Sequence, residues 1–286
     1  MRHLFRHGII LGLLGLLIPE PSGAQVITSG PPSCPGIALT FDLCPVKQRP
    51  GFDHALVDYL EEHHIPATFF MSGKWMAKHD TDVAHLLGIG FFEVGTHGEV
   101  HAHLPLHTAE EQREEIARPV RFLQDRYTHR AALFRPPYGE YNDTTVDVVK
   151  QLGLRFIQWN IVSGDPDPTL TAEQILARIE TRAKPGSIVV LHANGKGKYT
   201  HAVIERLTTD ILPRKGLTPM TVSALLACEQ KTPGPPSRSD RCGRRTVTRW
   251  WHFSESPIRG NGSAIPAAIG PASLPRSHRG GRPSSP

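Results

Sequence analysis

Residues 36–45 read GIALTFDLCP. A continuous apolar run ends on Asp42, and Pro45 follows as a strand-stopping turn residue. Such a run is the pattern of a parallel strand buried on both faces, and a carboxylate at its end is presented at one rim of the sheet. Runs of the same kind recur at 67–70 (ATFF), 89–95 (IGFFEVG), 131–135 (AALFR), 155–160 (RFIQWN), 187–192 (SIVVLH) and, more weakly, 217–222 (LTPMTV).

Helical patterns with readable start signals lie between these runs. Asp53 precedes HALVDYLEEHH, Asn142 precedes DTTVDVVKQLG, and Thr108 and Thr171 open capping boxes with Glu111 and Gln174. Gly153 stands where a helix would end in the left-handed conformation. The alternation predicts an α/β fold, a distorted (β/α) barrel of about seven parallel strands, with an open doubly wound sheet as the alternative. In either, the C-terminal ends of the strands share one face. Asp42, His97, His101, Arg135, Asp165 and His192 all fall at or just after such ends and are expected to converge at a solvent-filled mouth.

The 286 residues are 39% hydrophobic and 21% charged, the balance of a chain with one sizeable core. The first 24 residues have the layout of a secretory signal peptide: Arg2 and Arg6, an apolar run to Ile18, then Ser22 and Ala24. That run is short for a membrane span, so the expectation is an exported, periplasmic or extracellular protein with no stable span after cleavage. Ten basic against two acidic residues follow Gln230, and two basic against one acidic precede Gln25. The net charge of +5 therefore leaves −4 on the body. Residues 231–286 form a basic tail rich in Pro, Gly, Ser and Arg, expected to be disordered, with no nucleic-acid motif beside it. Residues 25–230 are the expected domain. In an oxidising compartment Cys34 is expected to pair with Cys228, with Cys242 as competitor; Cys44 is then free or paired elsewhere.

The groups at the strand ends suit metal-assisted or acid–base hydrolysis. His97 and His101 are spaced i, i+4, as a divalent metal would need them on a helix. Asp42 is either a base for a bound water or a turn cap. Arg135 is positioned to hold such an acid in a bidentate pair, and His192, oriented by Asp165, to protonate a leaving amine.

TFD (40–42), ATFFMSGKW (67–75), EVGTHGEVH (93–101), FRPPYG (134–139), Trp159 six residues before Asp165, and IVVLH (188–192) resemble, in order and spacing, the polysaccharide deacetylases with a NodB homology domain, carbohydrate esterase family 4. The resemblance covers about residues 36–227. It implies Asp42 as general base tethered by Arg135, His97 and His101 as ligands of a divalent metal, with zinc expected, and His192 as general acid held by Asp165. Tyr138 would offer a backbone N–H to the oxyanion, and Trp159 and Leu191 would complete the substrate-binding set. The implied reaction is N-deacetylation of an amino-sugar polysaccharide. A small C–N amide as substrate and a non-catalytic glycan-binding protein are the alternatives.

The first motif departs from the family. Where TFDDG is usual, this chain has TFDLC, so Leu43 replaces the third metal ligand and Cys44 a glycine. Asp53, Cys44, Glu99 and His103 are the candidate replacements, Asp53 first. A weakly held ion follows, which Leu43→Asp is expected to tighten. Pro166 stands where the family often has Trp.

Overall fold

The computed structural model describes residues 25–47 and 51–228; the expected signal segment and tail lie outside them. Among the described residues nine parallel strands form one sheet: β1 (Val26–Ile27), β2 (Gly36–Leu43), β3 (Ala67–Met71), β4 (Phe92–Thr96), β5 (Leu133–Phe134), β6 (Arg155–Ile157), β7 (Ile161–Val162), β8 (Ser187–His192) and β9 (Thr218–Met220). Their order is β1-β6-β5-β4-β3-β2-β8-β7, with β9 also paired to β2. The sheet curls into a half-barrel surrounded by helices, so the expected class holds. All seven expected strands are present. The two additional ones, β1 and β7, have two residues each, too short to leave a periodic signal.

The helices are α1 (His54–Glu62), α2 (Gly73–Met76), α3 (Asp80–Gly88), α4 (Ala109–Tyr127), α5 (Asp143–Gln151), α6 (Ala172–Arg182), α7 (Thr200–Arg206) and short C-terminal turns ending in Val222–Leu226. Every start signal named above acts as a cap. Asp53 accepts from the Leu56 N–H, and Thr108, Asn142 and Thr171 form reciprocal boxes with Glu111, Thr145 and Gln174. Gly153 (φ +69°) closes α5: its N–H bonds to the Lys150 carbonyl and that of Leu154 to Val149, the two bonds of a Schellman stop. Among the described residues no helix is long and apolar enough to cross a membrane.

β2 is the strand on which the architecture turns. It pairs with β8 on one side, and with β9 and then β3 on the other. Because side chains alternate along a strand, its two faces do different work. Ile37, Leu39, Phe41 and Leu43 pack outward in one core with Leu56, Val57 and Leu60 of α1, Ile175 and Ile179 of α6, and Val203 and Ile204 of α7. Ala38 joins an inner core with Phe70, Leu133, Ile157 and Ile188, closed by Val222 and Leu225 of the last helix. Full burial of such side chains stabilises by roughly 1.5–3 kcal/mol each. Cys34 and Cys228 are joined as expected, with Cα atoms 5.7 Å apart, tying the approach to β2 to the end of that last helix.

Candidate active site

Asp42 is on the inner side of β2, one residue before its end, and opposes His192 across the β2–β8 ladder. The two residues face a cavity of about 260 Å³, whose wall also includes His97, His101, Asp165, Tyr138, Trp159 and Cys44. Arg135 is wholly buried behind it. The six strand-end groups therefore do meet, but Asp42 and Arg135 lie inside the protein and not at an open mouth.

Arg135 Nη1 donates to Asp42 Oδ1 at 2.9 Å and to Thr40 Oγ1 at 2.7 Å, while Nη2 donates to the Gln158 carbonyl at 3.2 Å. The expected bidentate pair is thus a single hydrogen bond, because the guanidinium fork is shared among three acceptors. The guanidinium lies over the Phe70 ring at 4.1 Å and near Trp159 at 5.4 Å. This holds Oδ1 and leaves Asp42 Oδ2 facing the cavity. Burial acts to raise the Asp42 pKa, but His97, Arg135 and His192 together outweigh it and hold the carboxyl below its ordinary range.

His192 is set by the opposite logic. Asp165 Oδ1 accepts from His192 Nδ1 at 3.0 Å and from Ser163 Oγ at 2.9 Å; its Oδ2 accepts from the His192 N–H and Thr200 Oγ1, each at 2.8 Å. With Nδ1 donating, Nε2 is left for the cavity. Burial opposes the imidazolium, yet the hydrogen bond and charge of Asp165, with Asp42 beyond, raise the His192 pKa above its ordinary value. Ser163 and Thr200 escaped the sequence reading; a hydroxyl is too common to signal alone, although the tight SGD turn at 163–165 was available.

His97 Nδ1 donates to the Arg135 carbonyl at 2.9 Å, so its Nε2 lone pair points toward Asp42 Oδ2, 3.7 Å away. The His101 ring lies 4.9 Å from it at 68°, and Tyr138 packs on His101 at 4.3 Å. Burial, before any charge effect, lowers both imidazoles, with His101 pushed down to about 3. His101 and Tyr138 have φ of +66° and +60°, left-handed conformations that non-glycine residues hold only when their surroundings enforce them.

The donor set does not make a three-ligand metal centre. Among the described residues no group of three His, Cys, Asp or Glu side chains is arranged to hold an ion. Leu43 is buried in the outer core, on the face opposite Asp42. Asp53 caps α1. Cys44 Sγ is engaged by Asn194 Nδ2 at 3.0 Å, and burial raises its thiol pKa. His103 stacks on Tyr138 at 4.1 Å and bonds to Glu140, and Glu99 lies against Gly73. Leu191 is likewise not on the cavity wall: the alternation of β8 sends Val190 and His192 there and Leu191 into the outer core. Pro166, by contrast, does line the cavity.

The family described as "Polysaccharide deacetylase" matches residues 29–157. A peptidoglycan-N-acetylglucosamine deacetylase of Bacillus cereus is 30% identical over 195 residues, 66% of this chain and 87% of that protein. A bifunctional xylanase/xylan deacetylase of Cellvibrio japonicus is 29% identical over 65% of this chain, which spans only 27% of that protein. The solved structure of the peptidoglycan deacetylase PdaC from Bacillus subtilis superposes with a TM-score of 0.57 at 26% identity, covering 68% of this chain and 91% of that one. The order of the motifs, the strand that carries each, and these likenesses agree: the chain belongs to the polysaccharide deacetylase family of hydrolases.

Proposed function

We propose that this protein removes N-acetyl groups from an amino-sugar polysaccharide outside the cytoplasm. The observation that carries the reading is the pair Asp42 and His192. One cavity holds a carboxyl whose pKa is lowered and, across the same ladder, an imidazole whose pKa is raised. That is a base and an acid prepared before the substrate arrives.

In this reading water beside Asp42 Oδ2 gives up a proton as its oxygen adds to the acetamide carbonyl. Arg135 keeps Oδ1 occupied, so the carboxylate acts through one oxygen. His192 Nε2 then protonates the amine nitrogen as the C–N bond breaks, while Asp165 steadies the imidazole through Nδ1. Acetate and a free amino sugar leave. The Tyr138 ring, exposed at the lip, and Trp159 on the wall offer flat apolar faces to a sugar. A divalent ion, zinc by the resemblance, would meet two neutral imidazoles in place of three ligands. Export is supported by the signal-like first 24 residues and by the Cys34–Cys228 bond, which oxidising compartments preserve.

The test is acetate release by the purified protein from chitin oligomers, peptidoglycan fragments and acetylated xylan. Turnover on the first two, reduced at least ~10²-fold in Asp42→Asn and in His192→Ala, is the expected result. Turnover only on small acetamides would favour the small-amide reading. Glycan binding with no turnover would favour the binding-protein reading.

A further inference from the structure

Lys196 lines the same cavity and takes no part in the steps above. It belongs to the loop after β8, and its Nζ stands 3.5 Å from Cys44 Sγ. The loop is fixed on both sides of it. Asn194, buried, accepts the Lys196 N–H on Oδ1 at 3.2 Å and donates through Nδ2 to the Cys44 carbonyl at 3.1 Å. Gly197 runs so close to the groups holding His192 that a Cβ there would lie 1.9 Å from Thr200 Oγ1 and 2.7 Å from Asp165 Oδ2. Lys196 is therefore held between the end of β2 and the Asp165 cluster. It shares the cavity wall with His101, Cys44 and His192.

Leu43 offers no ligand to this region, its side chain being turned into the outer core. Asp42, the carboxylate that remains on this strand end, already has one oxygen bound to Arg135. Among the described residues lining the cavity Lys196 is the one lysine or arginine, and the Arg135 fork behind it is committed to Asp42, Thr40 and Gln158.

We infer that Lys196 is an oxyanion-stabilising group of this protein beside the Tyr138 N–H, its ammonium reaching over Cys44 to the carbonyl oxygen and supplying the positive charge that the incomplete ligand set does not. The inference rests on the amide-hydrolysis reading. Water adds to the carbonyl carbon as Asp42 takes its proton, and the C=O π pair moves onto oxygen, where a Lys196 N–H meets it. That pair re-forms the C=O as the C–N bond breaks, and the nitrogen takes the His192 proton. Asp42 then returns its proton to solvent and His192 regains one. Lys196 remains protonated throughout.

The full chain would be assayed for acetate release from a chitin oligomer, before and after dialysis against a chelator, and for acetate binding by titration calorimetry. Lys196→Met should lower kcat about 10²-fold, the size of a lost oxyanion donor, with KM little changed. Lys196→Arg should recover part of the rate, and the wild-type rate should survive chelation. Acetate affinity should fall at least tenfold in Lys196→Met and persist in Asp42→Asn. Wild-type kcat in Lys196→Met, or a wild-type rate lost on chelation and restored by zinc, overturns the inference. If that happens while Asp42→Asn and His192→Ala are inactive, the deacetylase reading stands without it. No acetate release by the wild type overturns that reading, and acetate affinity indifferent to Lys196→Met overturns the inference even then.

Discussion

Arg135 gives Asp42 a single hydrogen bond, Nη1 to Oδ1 at 2.9 Å, with side chains 0% and 5% exposed. Breaking a buried pair from one side leaves the other charge without compensation, at a cost of about 3–5 kcal/mol. Arg135→Ala should accordingly lose most of its folding stability in urea titration as well as its activity. Asp42→Asn should also melt below the wild type, because the guanidinium stays buried beside a neutral amide. Wild-type melting of both variants would mean that the pair is hydrated in solution.

The pH dependence of kcat/KM follows from the two shifts. Asp42 must be ionised and its pKa is lowered, so the acidic limb should lie below the ordinary carboxyl value of 3.8. His192 must be protonated and its pKa is raised, so the basic limb should lie above 6.5. The plateau between is wide. The same signs govern stability: the Asp42 contribution is present above pH 3.8 and lost as pH falls through its lowered pKa, whereas that of His192 is full below pH 6.5 and lost as pH rises through its raised one. A rate profile and a melting profile over pH 3–9 check both.

Asp165→Asn removes the group that raises His192 while keeping much of the shape. The basic limb should move to lower pH, and kcat at pH 8 should fall more than kcat at pH 6. An unmoved limb would show that it belongs to another residue.

Leu43→Asp, which the motif alone suggests would restore a metal ligand, should instead destabilise. The side chain at 43 is buried among Phe41, Leu39 and α1, where an unpaired carboxylate costs several kcal/mol or is forced to take up a proton. Melting temperature and zinc content of the variant would be measured together. A stable variant that binds one zinc per chain would show that the end of β2 can turn its 43rd residue around.

The sheet and the helix caps were legible because each rests on local chemistry: buried parallel strands need apolar runs, and orphaned helix N–H groups need an acceptor such as Thr108 or Asn142. The convergence of Asp42, His97, Asp165 and His192 followed from the rule that strand ends share a face. What a linear reading could not supply was direction. Leu43 and Leu191 each adjoin a site residue in sequence, and strand alternation carries both to the far side of the sheet. Distance along the chain also hid Thr200, which reaches Asp165 across 35 residues, and Lys196, which reaches Cys44 across 152.

Reducing the Cys34–Cys228 bond should cost about 2–5 kcal/mol, read as a fall in melting temperature with dithiothreitol that Cys34→Ser reproduces.

That bond spans 194 residues, from just before β2 to just after the last helix. A chain delivered amino end first exposes Cys34 long before its partner exists, so the covalent seal can close only once the whole domain has arrived. Any product cut short before residue 228 keeps an odd thiol, Cys34, beyond the buried Cys44. The state of Cys34 therefore distinguishes chains that reach residue 228 from shorter fragments: bonded in the first, a thiol in the second.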